Sequence, residues 1–205
     1  MQILIKARCV ADYVANNWQI SHAQTKETVP VSENLGAIMV DAVFQAGLNY
    51  RTVVFPRVEA VARAFPGLRS LEEVDGVMRT PAFLAALNWG HPEKPRRLWA
   101  LVAFLRSRGL ETIEDMRRWL AVASHRASVL ALRGVGPKTV DYLAKLVGLS
   151  VVAVDRHALR LLRVAGISEC EYGEARRILE FAADLLGVKR GIFDQLMWEM
   201  LSVAD

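Results

Sequence analysis

Cysteine is nearly absent from this sequence. The 205 residues contain two, Cys9 and Cys170, far apart in the chain and outside any CxxC pair. A disulfide framework, a four-cysteine zinc site and a cluster held by four thiolates are excluded on that count. Both cysteines are expected as small buried hydrophobes. Long apolar runs are missing too. The longest, Leu146 to Val154, is about half the ~20 residues that span a membrane. Lys6 and Arg8 interrupt the N-terminal stretch where a secretory signal needs its apolar core. No repeat, low-complexity tract or His/Glu cluster at metal-ligand spacing is present. What remains is rich in core-forming residues, with 53% hydrophobic side chains, 23% charged ones and a mean hydropathy of +0.20. A chain of this length buries about 70% of its unfolded surface, so a soluble, intracellular globular protein is expected.

The net charge is only +4, but it is unevenly spread. From Arg117 to Arg163 nine Lys/Arg face two acids, Asp141 and Asp155, a local net of +7 that leaves the rest of the chain at −3. Arginine supplies 20 of the 26 basic residues, and its planar fork suits phosphate better than an ammonium does. One basic region on an otherwise balanced chain points to a polyanion, most often nucleic acid.

Strand signals are scarce and helix signals abundant. Leu98, Leu101, Val102 and Leu105 mark one face of a helix over 94–108, with Pro95 in its first turn and Gly109 at its end. Ser70 to Glu73 and, more weakly, Thr112 to Asp115 have the form of capping boxes. Further helices are predicted near 34–47, 55–65, 126–132, 137–147, 156–165, 171–186 and 190–203. Only Leu149 to Val154 has strand character, and one strand cannot make a sheet. The spacing predicts an all-α protein of about ten short helices, in one or two lobes.

Within the basic region, an apolar helix runs into Gly134-Val135-Gly136 and a second amphipathic helix starts at Pro137. The glycines permit a tight turn and close approach to another backbone, and proline is tolerated at a helix start. Such a turn presents amide N–H groups at a helix N-terminus, a site suited to a DNA phosphate. Lys138 falls in the first turn of that second helix, where the positive end of the helix dipole disfavours an ammonium and favours a nucleophilic amine. Asp155 ends the apolar run and starts the next helix, as an N-cap or as a rigidly held carboxylate. Trp89, Trp99, Trp119 and Trp198 lie in helical apolar patterns and are read as core. His91 sits in a loop, and His157 is read as a structural hydrogen-bonder beside Asp155.

Leu132-Arg-Gly-Val-Gly-Pro-Lys138-Thr followed by Val154-Asp155-Arg-His157 resembles the helix–hairpin–helix/Gly-Pro-Asp (HhH-GPD) superfamily of DNA glycosylases, most of all endonuclease III, with its LPGVGxKTA and VDTH motifs. The resemblance implies an all-α fold of two helical lobes. One covers about 36–150 with the hairpin at 129–147, and the other covers 1–35 with 151–205, the damaged base being flipped between them. It implies Lys138 as Schiff-base nucleophile and Asp155 as the essential carboxylate. Arg133, Gly134, Val135, Gly136 and Thr139 become DNA-contacting residues. Gln45 matches the family's glutamine that fills the gap left by the flipped nucleotide, although Val43-Phe44 precede it here instead of Ser-Ala. Arg133 stands where the family often has proline. With two cysteines the chain resembles an iron–sulfur-free branch, so no cofactor is expected. The expected partner is double-stranded DNA carrying a damaged base or abasic site, engaged by a monomer in the cytoplasm, at the nucleoid if the source is prokaryotic.

These readings give a bifunctional glycosylase/AP lyase acting on an oxidised base. An 8-oxoguanine-specific enzyme and a non-catalytic helix–hairpin–helix DNA-binding protein are the alternatives. A monofunctional alkyl-base glycosylase would use water, and Lys138 argues against it.

Overall fold

A computed structural model describes residues 2–20 and 32–202, and among these every regular element is helical. The chain divides into two compact units, one of residues 31–149 and one of residues 1–30 with 150–205.

The first unit is built around α2 (Leu35–Phe44), all ten residues of which are buried. A helix buried on every side must be surrounded, and α3 (Phe55–Ala64), α4 (Leu71–Val77), α6 (Glu93–Ser107) and α9 (Pro137–Leu146) pack around it. Asn34 caps α2, its side chain accepting from Ala37 N at 2.9 Å and donating to Phe65 O at 2.6 Å. The helix stops before Gly47, whose φ of +77° turns the chain. A π turn, Tyr50–Val54, capped by Asn49, then leads into α3. Both expected capping boxes form, at the starts of α4 and α7 (Ile113–Leu120). The buried stripe of α6 carries the four predicted apolar residues and also Lys94.

Two helices escape the sequence reading. α5 (Pro81–Leu87) begins with Thr80 as N-cap and proline at its first position, a legible signal. α1 (Gln2–Asn17) buries Ala7, Val10, Ala11 and Val14, an i, i+3, i+4, i+7 face in plain view. The helix expected over 126–132 lies instead at α8 (Ala123–Val129). Residues 130–136 are taken by the turn, in which Val135 N donates to Leu132 O at 3.0 Å.

The second unit is an apolar bundle of α1, α10 (Arg156–Val164), α11 (Tyr172–Leu185) and α12 (Arg190–Ser202). α1 packs along α11, and α10 along α12. The strand-like run forms no strand. Val151 to Val154 are buried as an extended strap whose Ala153 and Val154 amides donate to Asp194 Oδ1 (3.0 Å) and the Tyr172 hydroxyl (3.3 Å). Side chains thus supply the acceptors that a neighbouring strand would have provided. Two expectations fail on burial. Cys9 is exposed and Cys170 only partly buried, because Cys9 lies outside the buried face of α1. The four tryptophans are half-buried rather than core. Trp89 lies edge-on to Phe44 at 5.3 Å under the Arg57 guanidinium, Trp99 donates to Met78 O at 3.3 Å, and Trp119 stacks on His125 at 4.8 Å. Each leaves part of its ring at the surface, as suits an amphipathic side chain. No described helix is long and apolar enough to cross a membrane.

Candidate nucleic-acid interface and catalytic residues

The unit of residues 31–149 holds the hairpin. Gly134 has φ +78°, a conformation that glycine adopts at no steric cost. Gly136 is the extended N-cap of α9, offers no side-chain cap, and has open space where a Cβ would stand. The amides of Gly134, Gly136, Lys138 and Thr139 find no backbone acceptor, while that of Val135 is used within the turn. Val135 therefore contributes packing, being buried, and not an amide. Thr139 is only 5% exposed. Of the turn residues read as DNA contacts, Val135 and Thr139 are the buried ones.

Lys138 is half-buried, and its amine makes no hydrogen bond or ion pair among the described residues. Arg133 is exposed and likewise unpaired. A cation without a partner at a turn rich in free amides is set up to receive an anion.

Asp155, in the other unit, caps α10. One oxygen, Oδ1, takes both cap bonds, from His157 N at 2.8 Å and Ala158 N at 3.0 Å. Oδ2 has no partner among the described residues, so the carboxylate is held rigidly by one atom and is open at the other. The buried strap of residues 151–154 fixes the chain just before it. His157 is buried and its Nε2 lies 3.3 Å from Arg156 Nε, in keeping with a structural role. His91 is exposed, with Nδ1 accepting from Glu93 N at 3.3 Å, and so helps to start α6.

Gln45 is the C-cap of α2 and only 7% exposed, with its side-chain nitrogen buried and unpartnered. As folded here the side chain is withdrawn from solvent, and a gap-filling role would require it to swing out.

Sequence reasoning passed over two polar clusters beneath the hairpin helix. Lys94 is buried, and its ammonium donates to Val43 O (2.8 Å), Ala46 O (2.7 Å) and Phe44 O (3.3 Å), closing the C-terminus of α2 where a cation is favoured. Burial first, and then Arg97 and Lys138, push it down to about 8. Asp41, the one acid inside α2, accepts from the hydroxyls of Tyr50 (3.1 Å) and Tyr142 (3.2 Å). Burial raises it to about 6 despite those bonds and Lys145. The signals were present: Lys94 falls four residues before Leu98 on an apolar stripe, and Asp41 interrupts a ten-residue apolar helix. Among the described residues no group of three or more His, Cys, Asp or Glu is placed to hold a metal ion.

No family model and no curated protein matches the chain. In fold it is similar to the crystal structure of the H. pylori 3-methyladenine DNA glycosylase MagIII bound to 1,N6-ethenoadenine. The TM-score is 0.60 at 16% identity, over 99% of this chain and 98% of that one. The all-α glycosylase fold expected from the sequence is the fold observed.

Proposed function

We propose that the protein is a DNA N-glycosylase of base excision repair, with an associated AP-lyase activity. The single observation that carries the reading lies in the unit of residues 31–149, and the other unit supplies a carboxylate. An unpartnered Lys138 stands in the first turn after a hairpin of free amides, and Asp155 is fixed by one oxygen and open at the other. A base-excision enzyme takes its nucleotide out of the stack at a cost of a few kcal/mol, least for a damaged base.

In the proposed chemistry the neutral Lys138 amine attacks C1′ and the N-glycosidic bond breaks. Its electron pair leaves with the base, which takes up a proton. Asp155 accepts the proton shed by the amine, or offsets positive charge at the sugar. Opening of the C1′–O4′ bond, with O4′ taking up a proton, gives the iminium. Loss of a C2′ proton then breaks the C3′–O3′ bond and releases the 3′ phosphate. General acid–base help of this kind contributes about 10²–10⁴-fold. The preferred substrate is an oxidised base, following the resemblance to endonuclease III. The fold neighbour's activity toward 3-methyladenine favours alkylated purine as a second reading.

Duplexes each carrying one lesion, assayed for base release and for strand cleavage, separate these. Cleavage with covalent trapping by borohydride supports the lyase. Base release from alkylated duplex without trapping would replace it with water-mediated excision, and inertness on every lesion would leave a binding protein.

A further inference from the structure

Arg97 lies on α6, outside the arginine-rich segment that the sequence singles out, yet it reaches the hairpin. A Cβ built on Gly134 would stand 2.6 Å from Arg97 Cζ and 3.0 Å from its Cδ, so the guanidinium rests directly on the turn. Its Nε is buried with no acceptor. Among the described residues its anionic neighbour is Glu93, whose Oε2 lies 3.7 Å from Nη2, beyond the ordinary reach of a hydrogen bond. The side chain is 31% exposed, so the group covers the turn without being sealed. Lys94 and Lys138 add positive charge close by, since the Lys94 ammonium feels both Arg97 and Lys138. Arg133 is exposed immediately before Gly134. Like charges held together around donors that lack acceptors are costly unless an anion joins them. A phosphate oxygen meets a guanidinium fork and a backbone amide with equal facility.

We propose that Arg97 is a DNA-contacting residue, holding from α6 the same duplex phosphate that the free amides of the 134–139 turn receive. Glu93 is its resting partner and is released when the phosphate arrives. The inference rests on the DNA-glycosylase reading and adds to it a residue that the hairpin motif does not contain.

The test is equilibrium binding to a duplex carrying a non-cleavable abasic analogue, followed by fluorescence anisotropy across a range of KCl concentrations. Wild-type protein, Arg97→Ala, Arg97→Lys and the control Arg79→Ala are compared. Arg79 pairs with Asp75 and lies over Trp99. Each neutralised phosphate contributes about 0.9 to the log–log salt slope. Arg97→Ala should flatten the slope by about that amount and weaken binding on the order of tenfold at low salt. Arg97→Lys should restore the slope while recovering only part of the affinity, because the charge returns without the fork. Arg79→Ala should match wild type. An unchanged slope in Arg97→Ala overturns the proposal. So does a flattened slope that Arg97→Lys fails to restore, which would mark a damaged turn instead of a lost contact. If wild-type protein itself shows no salt-dependent binding, the underlying reading falls and takes this inference with it.

Discussion

The two units bury different kinds of residue. Of the seven buried polar or charged residues among those described, Asn34, Asp41, Gln45, Lys94, Thr139 and Asp141 belong to 31–149, and only His157 belongs to the other unit. Burying a charge is costly unless it is paired and hydrogen-bonded, and the described side-chain ties that meet this demand lie mostly in the first unit. Those ties converge on α2 and α9, the helix that starts with the hairpin. Lys94 closes the end of α2, and Asp41 joins α2 to Tyr142 of α9. The second unit instead packs an apolar cluster and fixes the half-buried Asp155 by an N-cap. One unit sets its site chiefly by buried polar side chains, the other by apolar packing, the two side-chain ties of the strap and an N-cap. The first should therefore answer to polar substitution and pH, the second mainly to the loss of volume.

The sharpest way to probe this contrast is to remove one reactive group from each unit. Lys138→Gln should abolish borohydride trapping on abasic-site DNA, a loss of at least about 10³-fold in cleavage, with DNA binding nearly intact. Equal trapping by the variant would move the nucleophile elsewhere. Asp155→Asn should keep both cap bonds, because the asparagine oxygen still accepts, and so leave the melting temperature nearly unchanged. Turnover should fall about 10²-fold. Wild-type turnover in Asp155→Asn would reduce the residue to a cap.

A stability pair comes next. Lys94→Met keeps much of the apolar stem but strands the carbonyls of Val43, Phe44 and Ala46. The expected cost is about 2–4 kcal/mol, from buried acceptors that lose their donor. In the other unit Leu162→Ala should cost a similar 2–5 kcal/mol, but through a cavity. The two are told apart by a methionine at the same site: Leu162→Met should recover most of the loss, whereas no apolar residue rescues position 94. Urea midpoints measure both. An apolar substitution at 94 that is neutral would show that the carbonyls have other donors.

This contrast also explains what the sequence discloses. Local grammar is legible. The capping boxes at Ser70 and Thr112, the α6 face and the Gly-Val-Gly-Pro turn appear where residue order places them. α1 and α5 obeyed the same grammar and were simply passed over. The polar ties could not be read by order, because Lys94 meets residues about fifty positions away and Asp41 meets Tyr142 a hundred and one positions away. What order does show is an oddity: an acid in an apolar helix, a lysine on an apolar stripe. The extended strap before Asp155 misleads for a related reason. Its valines report burial, and only the fold reveals that Asp194 and Tyr172 replace a neighbouring strand.

The smallest expected effect isolates the buried acid. Asp41 is raised from 3.8 to about 6, chiefly by burial, with the Tyr50 and Tyr142 hydroxyls and Lys145 opposing. Between those two values the folded chain holds a proton that the unfolded chain has lost, so folding is favoured as pH falls through 6 and this gain is absent above it. From pH 7.5 to pH 5 the gain is about one pK unit's worth, roughly 1.4 kcal/mol. Asp115, held down to about 2 by its capping bonds to Thr112, moves stability the opposite way, but only below about pH 4, outside this window. Asp41→Asn keeps a carbonyl to accept from one tyrosine and an amide to donate to the other, and it does not titrate. The groups that both proteins share cancel in their difference. The wild type should therefore gain about 1.4 kcal/mol on the variant between pH 7.5 and pH 5 by urea midpoint. A constant difference across that range would mean that Asp41 stays ionised in its tyrosine pocket, and that the polar unit is less sensitive to pH than its buried charges imply.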